Sequence, residues 1–477
     1  MATTAPERAA AEGIRPPSVA ECVDRGRAAR VDAPRSAHDR RCLAGPRPDP
    51  VEVLAEQDGS REPDLLPIRY GRMAASPSAF FRGAAAVMAC DLAGSPVSGI
   101  DVQLCGDAHL SNFGFFGSPE RRLVFDINDF DETLRGPWEW DVKRLITSLE
   151  VAGRDRGFRA ADRRQILRTA AREYQRAMRS FAGMPTLEVW YARADVEEIR
   201  RRYESELAAT GRKRLARGLA KARTRDNLGA LRRFTSMEDG RLRLVAEPPL
   251  VVPVRDLYPD VAARSDLERD IDELLRSYRA SLPPERRALY DQYRPVDVAR
   301  KVVGVGSVGT RSWMILFLGR DAGDPLFLQA KEATASVLEP YLGAAEQSNH
   351  AERVVVGQRL MQTVGDILLG WQRVSGVDGQ ERDFYLRQLR DWKGSVEVEE
   401  MVPTGMRIYA QLCAWTLARA HARTGDRIAI AAYLGSSKTF ADAVTDFAQV
   451  YADRNERDHA LLLKAITAAR VRAEPGV

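Results

Sequence analysis

Residues 104–131 place acids and amides directly behind two short apolar runs. Residues 102–105 lead into Asp107 and Asn112, and residues 123–125 lead into Asp126, Asn128, Asp129 and Asp131. A strand that ends in such residues carries them to the rim of a sheet, on rigid backbone that water can reach. Oxygen donors on rigid supports suit a hard cation such as Mg²⁺, which shares its shell with substrate phosphates. The same residue types also cap turns, but a turn uses only one or two of them.

A second chemical signal lies far along the chain. Residues 300–318 read as a strand, a glycine turn and another strand, and residues 326–331 as a third strand ending in Ala330-Lys331. Gly304, Gly306 and Gly309 fit G-x-G-x-x-G, with Ser307 inside the pattern. In a dinucleotide-binding fold that pattern opens a helix; here residues 313–318 are apolar and aromatic, as in a strand. Glycines let backbone approach phosphates closely. Lys331 either decorates a strand edge or holds phosphates by charge.

These stretches resemble known motifs. Gly106-Asp107-Ala108-His109-Leu110-Ser111-Asn112 resembles the G-D-x-H-x-x-N catalytic loop of aminoglycoside-phosphotransferase-like and choline-kinase-like enzymes, within the protein-kinase-like superfamily. Asp129-Phe130-Asp131 resembles their metal-binding I-D-[FW]-[DE] segment, with Asn128 where an apolar residue usually stands. Residues 136–141 are similar to the stretch that follows it, in which Asp141 braces the catalytic loop. The glycine turn and Lys331 resemble the phosphate-covering loop and third-strand lysine of a kinase-like small lobe. Residues 416–422 resemble the helix that ordinarily precedes the catalytic loop.

The resemblance implies a phosphotransferase that uses ATP and Mg²⁺. Asp107 would accept the proton of an acceptor hydroxyl. Asn112 and Asp129 would hold Mg²⁺, with Asp126 or Asp131 as alternates. Lys331 would bind the nucleotide phosphates while Gly304, Gly306, Ser307 and Gly309 cover them. Glu352 is the expected carboxylate partner of Lys331, with Glu346 in reserve. His109 is expected to brace the loop rather than move protons. Residues 80–150 are also similar to an uncharacterised bacterial family, domain of unknown function 2252. That likeness covers most of the chain beyond residue 60 and implies no activity.

The implied fold class is α+β: a protein-kinase-like two-lobed fold with a mostly helical large lobe and a small antiparallel-sheet lobe. In the familiar order the glycine loop and lysine come first. Here Gly304 follows Asp107 by 197 residues, which reads as a circular permutation, tolerable because domain termini often lie close together. Residues 1–60, rich in Ala, Pro and Arg without periodicity, are expected to be a mostly disordered tail. Residues 61–295 would hold the catalytic loop, metal segment and helical substrate region, and residues 296–398 the small lobe with its hinge at 390–395. Residues 399–477 would form helices that rejoin the large lobe.

Composition narrows the classes. At 477 residues the chain is long enough for more than one core. Its net charge of +5 is mild and comes with no zinc-finger spacing or arginine-rich tail, so nucleic acid is not an expected partner. The basic run from Arg212 to Arg225, Arg214 included, is either a solvated helix face or a collar for an anionic acceptor. Five cysteines without a C-x-x-C pair point to a reducing, cytoplasmic setting. No apolar run is long enough to span a membrane. The expected partners are a nucleoside triphosphate and an acceptor that is a small molecule or a protein. Two alternatives share these residues: a nucleotide-binding pseudokinase or adenylyl-transferring enzyme, and a non-catalytic binding or regulatory module whose acidic loops are turns.

Overall fold

The computed structural model describes residues 16–43, 45, 47–203, 205–206, 209–257, 260–302, 304–376, 379–389 and 391–476. Residues 1–15 of the expected tail, Val303 beside the glycine turn, Arg390 of the expected hinge and the side chain of Arg214 lie outside them. Within them the chain is a mixed α+β protein with several antiparallel sheets.

Both acid-bearing strands form. Asp101–Leu104 pairs antiparallel with Leu134–Pro137. Leu123–Ile127 lies between Phe113–Gly117 and Ala194–Asp195 in a separate sheet. Gly106 turns the chain out of the first strand at φ +83°, where a Cβ would lie 2.1 Å from the Glu132 carbonyl oxygen. Only glycine lets the two acidic loops meet that closely.

Behind the loops runs the helix Trp138–Asp155. Its apolar stripe (Val142, Leu145, Ile146, Leu149) is the expected one, but almost every residue is buried because helices Ala160–Ala182, Pro403–Thr424 and Thr439–Thr467 all pack against it. Its buried polar groups therefore need partners. The Lys143 ammonium donates to Ser95 Oγ at 3.1 Å, and Glu150 pairs with Arg154 and Arg163. Glu139 accepts one bond, from the Ser98 amide at 2.8 Å, and its second oxygen has no partner.

Burial pushes the Glu139 carboxyl up to about 7. An acid with a raised folded pKa binds its proton more tightly when folded. Its stabilisation is complete below the unfolded value of 4.5 and is lost as pH rises through about 7. At 1.36 kcal/mol per unit this amounts to roughly 3 kcal/mol. Glu139→Gln is expected to flatten the loss of stability between about pH 5 and about pH 8, measured by urea unfolding; an unchanged slope would assign it elsewhere.

The second half of the site stands on a six-stranded antiparallel sheet. Its order is Gly370–Ser375, Glu381–Gln388, Pro325–Ala333, Ser312–Leu318, Arg294–Lys301 and Val251–Pro253. Lys331 lies directly opposite Ser312 on one neighbour and Tyr385 on the other, so the three share a face. Both faces of the sheet are apolar and both are covered. Helix Val261–Ser281 brings Ile271, Leu274 and Tyr278 onto Ile315, Phe317 and Leu328, and helix Asn227–Phe234 brings Ala230 and Phe234 onto Met314, Leu316 and Phe327. The expected boundary at residue 296 is therefore displaced: residues from 227 to 295 cover or extend this sheet. A separate hairpin pairs Thr235–Glu238 with Arg241–Leu244 across Asp239-Gly240.

Residues 77–93 form two helices, Pro77–Gly83 and Ala85–Ala93, with the break beside Gly83, where a Cβ would meet Met73 at 2.8 Å. Residues 439–467 form one helix. Much of the expected tail is folded: helix Val19–Asp32 opens on a Ser18/Glu21 capping box, and the Arg30 Nε donates to the Tyr433 carbonyl at 2.9 Å. Its composition lacked periodicity because the helix is held by polar reach and by Gly26 abutting Ala429, not by an apolar stripe.

Candidate active site

The catalytic-loop residues are fixed from behind. Asp141 accepts the Cys105 and Gly106 amides at 2.8 and 3.1 Å, as the motif implied. His421, on helix Pro403–Thr424, lies 3.2 Å from Asp141 through Nε2 and 2.8 Å from the Tyr174 hydroxyl through Nδ1. Asp107 accepts Arg144 Nε at 2.8 Å, and Arg144 in turn donates to the Phe81 carbonyl at 2.7 Å. His109 Nδ1 accepts the Ser111 amide, which leaves its proton on Nε2, 3.6 Å from Asp107. Burial lowers His109 to about 4, so it is neutral near pH 7 and acts as a brace. Asn112 donates through Nδ2 to the Asp107 carbonyl at 2.8 Å, leaving its amide oxygen as the remaining donor atom. The Asn128 amide bonds the Asn112 carbonyl at 2.8 Å and ties the two acidic loops together.

The four candidate acids separate into distinct roles. Asp107, Asp129 and Asp131 line one open cleft. Asp126 does not. It is buried on the strand, bonded to Arg419 of helix Pro403–Thr424 and accepting from the Thr363 amide at 3.2 Å. The pleat accounts for this: Asp126 lies inside the strand, whereas Asp129 and Asp131 lie in the loop beyond Ile127. As a metal alternate, Asp126 is therefore excluded by its buried ion pair.

Gly304, Gly306 and Ser307 line the same cleft from the opposite side. Gly309 does not; at φ +94° it turns the loop, and its carbonyl accepts the Glu62 amide at 2.7 Å. Lys331 is bonded to Asp131 and donates to Ser307 Oγ at 2.7 Å. Ser307 Oγ also lies 3.0 Å from Asp131, and the Tyr385 hydroxyl donates to Asp131 at 2.8 Å. Burial alone would raise Asp131, but Lys331 and Tyr385 overcome it and hold the carboxyl at about 2.

The carboxylate partner of Lys331 is thus Asp131, not Glu352 or Glu346. Glu346 is exposed, and Glu352 sits in the first turn of helix His350–Met361, where its amide bonds Asn349. The inward residue is its neighbour Arg353, which donates to the carbonyls of Thr133, Asp131 and Thr334 at 2.6, 2.9 and 2.8 Å. A one-residue change of helical phase, 100°, turns the expected lysine partner into a support for the metal segment.

Asp129 is the uncompensated acid. Burial and the adjacent Asp131 push its carboxyl up against the pull of Lys331 and Arg387, and it forms no ion pair among the described residues. A half-buried carboxylate in that state, lining the same cleft as Asn112, fits a hard cation. No cluster of three or more His, Cys, Asp or Glu able to hold a metal occurs among the described residues, so an ion here would complete its shell with phosphate and water oxygens.

Other cleft residues carried no motif. Gln57 comes from the expected tail and Arg61 from just beyond it, and Arg82 and Glu132 complete the wall. Arg61 donates to the Gly306 carbonyl at 3.0 Å and also bonds the Val308 carbonyl. Burial, then Arg69, lowers it to about 9. None of the described side chains of residues 212–225 lines the cleft; Lys221 pairs with Glu397 and Arg223 with Glu197 on the surface. No helix among the described residues is long and apolar enough to cross a membrane.

Comparison with curated proteins and with solved structures finds no match. A family model matches residues 61–465, a span that holds every cleft residue named above except Gln57. On that match the chain belongs to the family described as an uncharacterised protein conserved in bacteria (DUF2252).

Proposed function

We propose that the protein is an ATP- and Mg²⁺-dependent phosphotransferase of protein-kinase-like type, with permuted element order, acting on a hydroxyl acceptor. One observation carries the reading: residues of three segments, 107–112, 129–132 and 304–307, line a single cleft, and Lys331 is bonded to the cleft residue Asp131. Two independent acidic turns would have no reason to converge beneath a glycine loop, with a buried lysine bonded to one of them.

In this reading the acceptor oxygen attacks the terminal phosphorus, the bond to ADP breaks, and the hydroxyl proton passes to Asp107. Arg144 and the neutral His109 hold that carboxylate in place. Asp129 and Asn112 are the donors for Mg²⁺, which when bound neutralises charge on the phosphate oxygens. Lys331, released from Asp131, supplies a second positive charge to the phosphates, and Gly304, Gly306 and Ser307 bring backbone close to them.

Titration of the full chain with ATP and Mg²⁺ tests this directly. At about 100 times Kd the ligand adds about 2.7 kcal/mol of stability, which raises the melting temperature. The shift is expected to shrink when Mg²⁺ is chelated. No shift with any nucleotide would remove the reading, and mass-spectrometric gain of AMP instead of phosphate on the product would convert it to adenylyl transfer.

A further inference from the structure

The cations in and around the cleft fall into two groups. Lys331 and Arg387 act on Asp129 and Asp131, the phosphate-and-metal side. Arg82 and Arg144 act on His109, which flanks Asp107. Of this second pair Arg144 is fully engaged, bonded to Asp107 and the Phe81 carbonyl with its guanidinium carbon 3.9 Å over the Phe81 ring. Arg82 lines the cleft, its Nε is buried without a hydrogen-bond partner, and it forms no ion pair among the described residues. An arginine left unpaired at the wall of a cleft is costly unless a ligand completes it. Arg61 and Gln57 contribute further donors to the same cleft.

We propose that Arg82, with Arg61 and Gln57, receives an anionic group on the acceptor, so that the acceptor is a hydroxyl compound bearing a phosphate or carboxylate. This rests on the phosphotransferase reading of the cleft. Asp107 and Asp131 are already neutralised by Arg144 and Lys331, so they do not compete for Arg82. A planar guanidinium offers two parallel donors, which is the geometry an oxyanion takes. The terminal phosphate of the nucleotide is the other source of such an anion, and the experiment separates the two.

The full chain is saturated with ADP and Mg²⁺ and titrated with glycerol 3-phosphate, with glycerol as neutral control at matched ionic strength. Wild type is expected to bind the phosphomonoester and not glycerol. Arg82→Gln is expected to weaken that binding about tenfold, the loss of one charge-assisted contact, with ADP affinity unchanged; Arg82→Lys should restore part of it. Wild type that binds neither glycerol 3-phosphate nor inorganic phosphate overturns the proposal. So does an Arg82→Gln protein that binds ATP more weakly than wild type while its phosphomonoester binding is intact, since Arg82 then serves the nucleotide. Wild type that binds no Mg-nucleotide fails the underlying reading at the first step, and the acceptor assignment falls with it.

Discussion

Asp107→Asn is expected to lower turnover by about 10²–10⁴-fold, the usual contribution of a positioned general base, while ATP–Mg²⁺ affinity stays near wild type. The side chain keeps its shape, and Arg144 can still meet the remaining oxygen at the position that now lies 2.8 Å away. The proposed cation donors Asp129 and Asn112 and the lysine are untouched. Only the capacity to take the acceptor proton is lost. Single-turnover rates and direct nucleotide titration measure the two properties separately. Full activity of the variant, in an assay where wild type turns over, would remove Asp107 from the reaction.

The second large effect concerns a residue that the motif makes look equivalent. Asp126→Ala is expected to destabilise the protein by about 3–5 kcal/mol, because it leaves Arg419 buried and uncompensated. Arg419 is 1% exposed and also bonds the Met361 carbonyl, so it cannot turn toward water. Asp129→Asn should do the opposite: it removes one carboxylate from a crowded pair, leaves the fold intact and abolishes the Mg²⁺ dependence of nucleotide binding. Urea unfolding of both variants decides. An Asp126→Ala protein as stable as wild type would mean that the Arg419 pair is not structural.

Much of this site could be read before any coordinates because its parts are local. The strand-then-acid pattern fixes where Asp107 and Asp129 emerge, and alternating glycines before an apolar strand fix the loop that leads to Lys331. What could not be read depends on long-range pairing. Glu352 was a choice of helical phase, and the phase is set by Gly357 packing on Thr133, where a Cβ would come within 2.4 Å of Oγ1. The ion pair that separates Asp126 from Asp129 comes from Arg419, 293 residues away. Gln57, Arg61 and Arg82 belong to no motif, and a chain segment without apolar periodicity gives no sign that it walls a cleft. The helix Val261–Ser281 is amphipathic on its face, but nothing in its pattern says which sheet it covers.

Helix Pro403–Thr424 carries Arg419 and His421 two positions apart, and through them it grips both acid-bearing segments. A single rod that clamps Asp126 and Asp141 together makes that wall a stator. The glycine turn and its sheet meet that wall through the Lys331–Asp131 latch. An incoming triphosphate would act as the key that exchanges one latch for another.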